Sequence, residues 1–128
     1  MNLTIASYNI HKAVGSDGRR APERIMAVLD EIGADVALLQ EVDSRFGVRT
    51  SVLPADLLCA HGWVAAPLGH HGALGWHGNA VLVRGGVQLV HSATIALPAL
   101  EPRGAVIADI THGKHVQRLV GAHLDLSG

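Results

Sequence analysis

Cysteine is almost absent from this sequence: Cys59 is the only one in 128 residues. An internal disulfide is therefore impossible, and a thiolate-based zinc site is excluded. Aromatic residues are equally scarce at 3%, with two Trp, one Tyr and one Phe, so a row of base-stacking rings is not available. Neither charge sign dominates. The formal net charge is -1 and there is no run of Lys or Arg, so the whole-chain field offers no steering toward nucleic acid. No apolar run approaches the roughly 20 residues that a membrane helix needs. Met1-Asn2-Leu3-Thr4 does not begin a charged segment followed by an apolar one, so no secretory signal is read there. Glycine-rich phosphate loops of the G-x-G-x-x-G or G-x-x-x-x-G-K-[ST] type are missing after the first strand-like run, which leaves a nucleotide-binding domain unsupported. Together these absences lead to the expectation of a soluble cytoplasmic protein.

What the chain does have is apolar residues, at 48% against 16% charged, enough for one domain with a buried core. The organising stretch is Asp35-Val36-Ala37-Leu38-Leu39-Gln40-Glu41-Val42-Asp43. An unbroken apolar run of strand length is the mark of a strand buried on both faces. In open α/β sheets, ligands collect at the carboxyl ends of such strands. Glu41, at that end, is thus a candidate for chemistry, although a carboxylate can also simply mark where a strand meets water.

The elements on either side follow from local chemistry. Leu3 to Tyr8 alternates and is rich in β-formers, which predicts a first strand running into Asn9. Pro22 suits the first turn of a helix. Ile25, Met26, Leu29 and Ile32 then fall on one helical face, and Gly33 supplies a stop. Strand, helix and strand with short joints form a βαβ unit with parallel strands. Asn9 and Glu41 then leave the sheet at the same edge, and neighbouring strands about 5 Å apart would let both reach one ion or phosphate.

Farther on, Leu53, Leu57 and Leu58 predict a short helix ending near Gly62, and Trp63 to Ala66 a short strand. A glycine- and histidine-rich loop spans Gly69 to Gly78. Asn79 to Arg84 and Val87 to Ala96 read as strands joined at Gly85-Gly86, a pair that signals a hairpin. Gly104 to Ile110 and Val116 to Leu124 complete an antiparallel meander. Arg45, Arg49 and Arg84 are expected to be solvated, and Trp63 and Trp76 to be packing residues.

Five short motifs occur in a fixed order: Tyr8-Asn9-Ile10-His11, Leu39-Gln40-Glu41-Val42-Asp43, Gly78-Asn79-Ala80-Val81-Leu82, Arg103-Gly104-Ala105 and Ala122-His123-Leu124-Asp125. Each is weak alone. In this order the set resembles the N-terminal half of the endonuclease/exonuclease/phosphatase superfamily, the DNase I-like proteins. The resemblance implies an α/β fold, part of a four-layered α/β sandwich, in which a βαβ unit is followed by antiparallel strands. Residues 1–128 would be the N-terminal part of one such domain, with its C-terminal half missing and a monomer when complete.

The resemblance also implies metal-dependent hydrolysis of phosphoester bonds with Mg²⁺, Mn²⁺ being an alternative. Glu41 looks like the family's metal-binding glutamate. Asn9 looks like the asparagine that helps hold metal or phosphate. His123 resembles the histidine of a T-H-L motif that meets the scissile phosphate, with Ala122 in place of the threonine. His11, Asn79 and Arg103 stand at substrate-facing positions. Mg²⁺ suits such a site because it takes oxygen ligands and needs only one or two carboxylates from the protein.

The family's G-D-x-N and S-D-H motifs do not occur in this sequence. The resemblance therefore implies a half-site that is inactive by itself, and an apolar face left uncovered. With no basic stripe, a small phosphoester or a lipid head group is the favoured substrate, nucleic acid being possible. A non-catalytic module that holds phosphate or a protein partner is the alternative. Nine histidines also raise zinc, with His70, His71 and His77 as the best cluster and His112 and His115 at a tight gap, although paired Cys and His are the usual structural set.

Overall fold

The computed structural model describes residues 3–10, 21–40, 53–67, 79–97 and 103–122. These segments form seven strands and two helices: β1 (Ile5–Asn9), α1 (Pro22–Ile32), β2 (Val36–Gln40), α2 (Ala55–Ala60), β3 (Val64–Ala65), β4 (Ala80–Val83), β5 (Val87–Leu97), β6 (Arg103–His112) and β7 (His115–Ala122). One sheet has the order β1-β2-β4-β3 and the other β5-β6-β7.

Helix α1 forms where its sequence predicts. Pro22 sits in the first turn and Gly33 takes the left-handed cap conformation, φ 73, with its N–H returned to the carbonyls of Leu29 and Asp30. A left-handed cap suits glycine because it has no Cβ to clash. The buried face is Ile25, Met26 and Leu29. With Leu53, Leu58 and Trp63 they pack on Ala37, Leu39, Ala80 and Leu82, the helix-side face of the first sheet.

Strand alternation sends the other set of side chains to the opposite face. Val36, Val81 and Val83 meet Val87, Val106, Ala108 and Ile110 in a second core between the two sheets. Helices, first sheet and second sheet are thus three stacked layers, each core a set of side chains of one parity. Every residue of β4 is buried, and β2 is nearly so, as continuous apolar runs require when both faces are covered.

β1 and β2 pair in parallel, with Ile5 opposite Val36 and Asn9 opposite Gln40. The near end of this pair is pinned by Asp35, whose Oδ2 accepts the Thr4 N–H at 2.9 Å while its own N–H donates to the Thr4 carbonyl at 2.8 Å. At the far end the Ile10 N–H donates to the Gln40 carbonyl at 3.1 Å.

The second half departs from expectation at one joint. Gly85-Gly86 does form a tight turn, with the Val87 N–H donating to the Arg84 carbonyl at 3.4 Å and Gly85 at φ 67. It is not a hairpin. β4 pairs with β2 on one side and β3 on the other, so it has no edge left for β5. The chain instead crosses to the second sheet, where β5, β6 and β7 form the expected antiparallel meander.

Arg84 also differs from expectation. Its side chain is 17% exposed rather than solvated. It donates to Asp30 Oδ1 at 2.6 Å, to the Ala34 and Leu29 carbonyls at 2.8 and 3.2 Å and to the His61 carbonyl at 3.4 Å. The guanidinium lies 4.1 Å from the centroid of the buried Trp63 ring. The Leu29 carbonyl, in the last turn of α1, thus takes the guanidinium in addition to the Gly33 and Ala34 N–H groups, and the Ala34 carbonyl lies just past the helix cap. Trp63 is a packing residue, as expected.

The outer face of the second sheet carries exposed apolar side chains, including Ile95 at 43% and Val120 at 59%. No helix of the described residues is long and apolar enough to cross a membrane.

Candidate functional site

The topology brings three strand ends to one place. β1 and β2 run in parallel, so Asn9 and Gln40 close the same end of the sheet. β4 runs the other way and starts there: the register that pairs Leu39 with Ala80 continues one step to Gln40 and Asn79. Asn9, Gln40 and Asn79 therefore stand side by side on three adjacent strands. All three share parity with the side chains that face the second sheet, Leu38 with Gln40 and Val81 with Asn79.

The row is polar where the rows below it are apolar. One rung down are Ser7, Leu38 and Val81, and two rungs down Ile5, Val36 and Val83. Gln40 is 9% exposed and Asn79 2%; Asn9 is half-buried. Burying carboxamides is unfavourable unless they are hydrogen-bonded. Gln40 Nε2 donates to the Leu38 carbonyl at 3.3 Å and to Ser7 Oγ at 3.5 Å, both long for N–H···O bonds. The arrangement offers neutral N–H donors and hard oxygen acceptors at the end of a parallel strand pair, and no charge of its own.

β7 approaches this end from the second sheet. Gly121 lies close enough to β2 that a Cβ built on it would be 3.9 Å from Leu38 Cδ2. Ala122 pairs with Ala105 near the start of β6.

No protein-family model matches the sequence, and no curated protein does. Solved structures do match. An endonuclease/exonuclease/phosphatase from Beutenbergia cavernae aligns over 98% of this chain with a TM-score of 0.68 and 25% identity. The fold is that of the endonuclease/exonuclease/phosphatase superfamily. TDP2 from D. rerio, solved with a single-strand DNA product, aligns over 96% of the chain with a TM-score of 0.70 and 20% identity. ANGEL2, a 2′,3′-cyclic phosphatase solved with adenosine-2′,3′-vanadate, aligns over 98% with a TM-score of 0.65 and 14% identity. The chain spans 39% of the Beutenbergia protein, 46% of the D. rerio one and 42% of ANGEL2. It is a partial DNase I-like fold, whose described residues form two sheets with helices packed on one of them.

Within this superfamily fold the residues named from the sequence divide into two groups. Asn9 and Asn79 are described, and they flank Gln40 at one sheet end. Glu41, His11 and His123 lie outside the described residues, as do the Arg103 side chain, His70, His71 and His77. Glu41 follows Gln40 directly in the chain, His11 follows Ile10 and His123 follows Ala122. Among the described residues no three His, Cys, Asp or Glu side chains are grouped as a metal ion would need. His112 and His115 are opposite each other across the β6–β7 turn, a pair rather than a cluster.

Gln40 was not singled out by the motif reading, which stopped at the glutamate beside it. The signal was present: a polar residue two places after Leu38 falls on the same face as Leu38 and Val36. Alternation gives its face, and the β1–β2 register sets it beside Asn9.

Proposed function

We propose that this chain carries one half of a Mg²⁺-dependent phosphoesterase site, with Mn²⁺ able to replace Mg²⁺. The observation that carries the proposal is the convergence of β1, β2 and β4 at one sheet end, with Asn9 and Asn79 there and Glu41 one residue beyond Gln40. The solved structures of this fold include a 2′,3′-cyclic phosphatase and a DNA-product complex, which supports phosphoester chemistry.

The donor chemistry fits the ion. Carboxamide and carboxylate oxygens are hard ligands of the kind Mg²⁺ takes, and no thiolate or clustered imidazole competes for a softer metal among the described residues. Glu41 and Asn9 would hold the ion. When bound, it would polarise the phosphoryl oxygen and stabilise the leaving oxygen. Asn79, His11 and Arg103 would orient the substrate, and His123 would donate to a phosphoryl oxygen, an interaction that depends on its protonation near neutral pH. A small phosphoester or lipid head group is the favoured substrate, because the net charge of -1 gives no long-range pull on a polyanion.

The sequence contains neither G-D-x-N nor S-D-H, so the 128 residues alone would bind metal and phosphate without turnover. This is the specific feature that favours the second reading, a binding module. A phosphoester panel assayed with and without Mg²⁺ separates the two. The expected result is no hydrolysis by these 128 residues. A longer polypeptide that includes both motifs is expected to turn over and to lose that turnover in Glu41→Ala. Robust Mg²⁺-dependent hydrolysis by the 128 residues would overturn the half-site. An active longer chain that is insensitive to Glu41→Ala would overturn the metal assignment.

A further inference from the structure

We propose that Gln40 is a phosphate-binding residue: the middle donor of a three-carboxamide row, Asn9–Gln40–Asn79, that receives the phosphoryl oxygens of the substrate. The proposal deepens the phosphoesterase reading and rests on it.

The row is a departure from what packing alone would choose. Its three positions crown a space that the rungs below fill with Leu38, Val81, Val36 and Val83. A leucine or valine at position 40 would continue that core without any polar group to desolvate. Gln40 instead holds a primary amide at 9% exposure. Its two N–H groups are spent on bonds of 3.3 and 3.5 Å, one to a carbonyl of its own strand and one to the Ser7 hydroxyl. Neither reaches the 2.9–3.0 Å typical of a good N–H···O bond. Among the described residues the buried amide thus meets only long contacts, and exchanging them for a phosphoryl oxygen is favourable because bonds to charged acceptors are shorter and stronger.

Position and charge agree with this role. Adjacent strands are about 4.8 Å apart, so the row can present several N–H groups to the oxygens of one tetrahedral anion. The row is neutral, and it adds no cation that would repel a metal ion held at the neighbouring Glu41. On the second sheet, Gly121 of β7 packs over Leu38, one rung below the row, where a Cβ would lie 3.9 Å from Leu38 Cδ2.

The test uses the 128-residue chain, followed by NMR of backbone and side-chain amides during titration with Mg²⁺ and with inorganic phosphate at saturating Mg²⁺. Wild type is expected to shift the Asn9, Gln40 and Asn79 side-chain amides with phosphate. Gln40→Met keeps length and removes the donors. It is expected to weaken phosphate binding about tenfold, the loss of one bond to a charged group, with the Mg²⁺ response unchanged and the melting temperature equal or higher. Gln40→Glu is expected to abolish the phosphate response and tighten Mg²⁺, since it converts a donor to an anion. Phosphate affinity in Gln40→Met equal to wild type would overturn the proposal while leaving the phosphoesterase reading intact. So would a parallel loss of phosphate, Mg²⁺ and melting temperature, because that pattern marks a purely structural residue. A wild-type chain that responds to neither Mg²⁺ nor phosphate would overturn the functional reading itself, and this inference with it.

Discussion

Arg84 and Asp30 meet at 2.6 Å, Nη1 to Oδ1, at the end of the first sheet opposite the carboxamide row. The same guanidinium reaches the Leu29 and Ala34 carbonyls and covers the Trp63 ring, so one side chain fastens the end of α1 to the start of the β4–β5 crossover. Lysine cannot reproduce this because it lacks the planar fork. Arg84→Lys is expected to destabilise the chain by about 1–3 kcal/mol, the usual loss when charge-assisted bonds to part-buried groups are removed. Urea denaturation checks it. A change below the error of that measurement would mean the guanidinium is incidental to stability.

Asp30 also sets a pH dependence. The hydrogen bond from Arg84, reinforced by His61 at 2.8 Å, holds its carboxyl below the ordinary range, against a smaller opposing effect of desolvation. A group whose folded pKa is depressed stabilises the fold above its unfolded pKa, near 3.9 for Asp, and loses that contribution as pH falls through the folded value. The melting temperature of wild type should therefore exceed that of Asp30→Asn at pH 6, with the gap closing below about pH 4. A gap that stays constant from pH 6 to pH 3 would show that the carboxylate charge is not what matters. Asp109 has a similar pair with Arg118, but on an exposed face, where such pairs contribute little.

Gly121 offers a packing test of how the second sheet reaches the site. A Cβ there would lie 3.1 Å from Val106 Cγ2, closer than ordinary contact, and Val106 is fully buried. Gly121→Val is expected to cost about 1–3 kcal/mol by overpacking and to shift the amides of Leu38 and Gln40. Unchanged stability with unchanged amide positions would contradict the close approach of β7 to β2.

Much of this architecture was legible in the sequence, and the reasons differ by element. Pro22, the 3–4 spacing of Ile25, Met26 and Leu29, and Gly33 mark α1 because each acts locally. The apolar run marks β2, and its parallel pairing with β1 follows from the strand–helix–strand order. The error at Gly85-Gly86 arose because turn chemistry says that the chain reverses, not which strand it then pairs with. The run Ala80-Val81-Leu82-Val83 has no polar alternate, and that signature of a central strand already implied neighbours on both sides. Arg84 was hidden for a different reason: its partners at Leu29, Asp30, Ala34 and His61 are distant in sequence, and no motif predicts them. At the site, Asn9 was readable from its place at a strand end. Gln40 became visible only when register put it between Asn9 and Asn79.

The central claim is that the end of β1, β2 and β4 is a metal-dependent phosphoester site, and paramagnetic line broadening by Mn²⁺ tests it most directly. Substoichiometric Mn²⁺ added to the ¹⁵N-labelled chain is expected to broaden the amides of Asn9, Ile10, Gln40 and Asn79 first. Glu41→Ala is expected to remove that effect while leaving the rest of the spectrum in place. Broadening centred on His112 and His115, or broadening at the sheet end that survives Glu41→Ala, would contradict it.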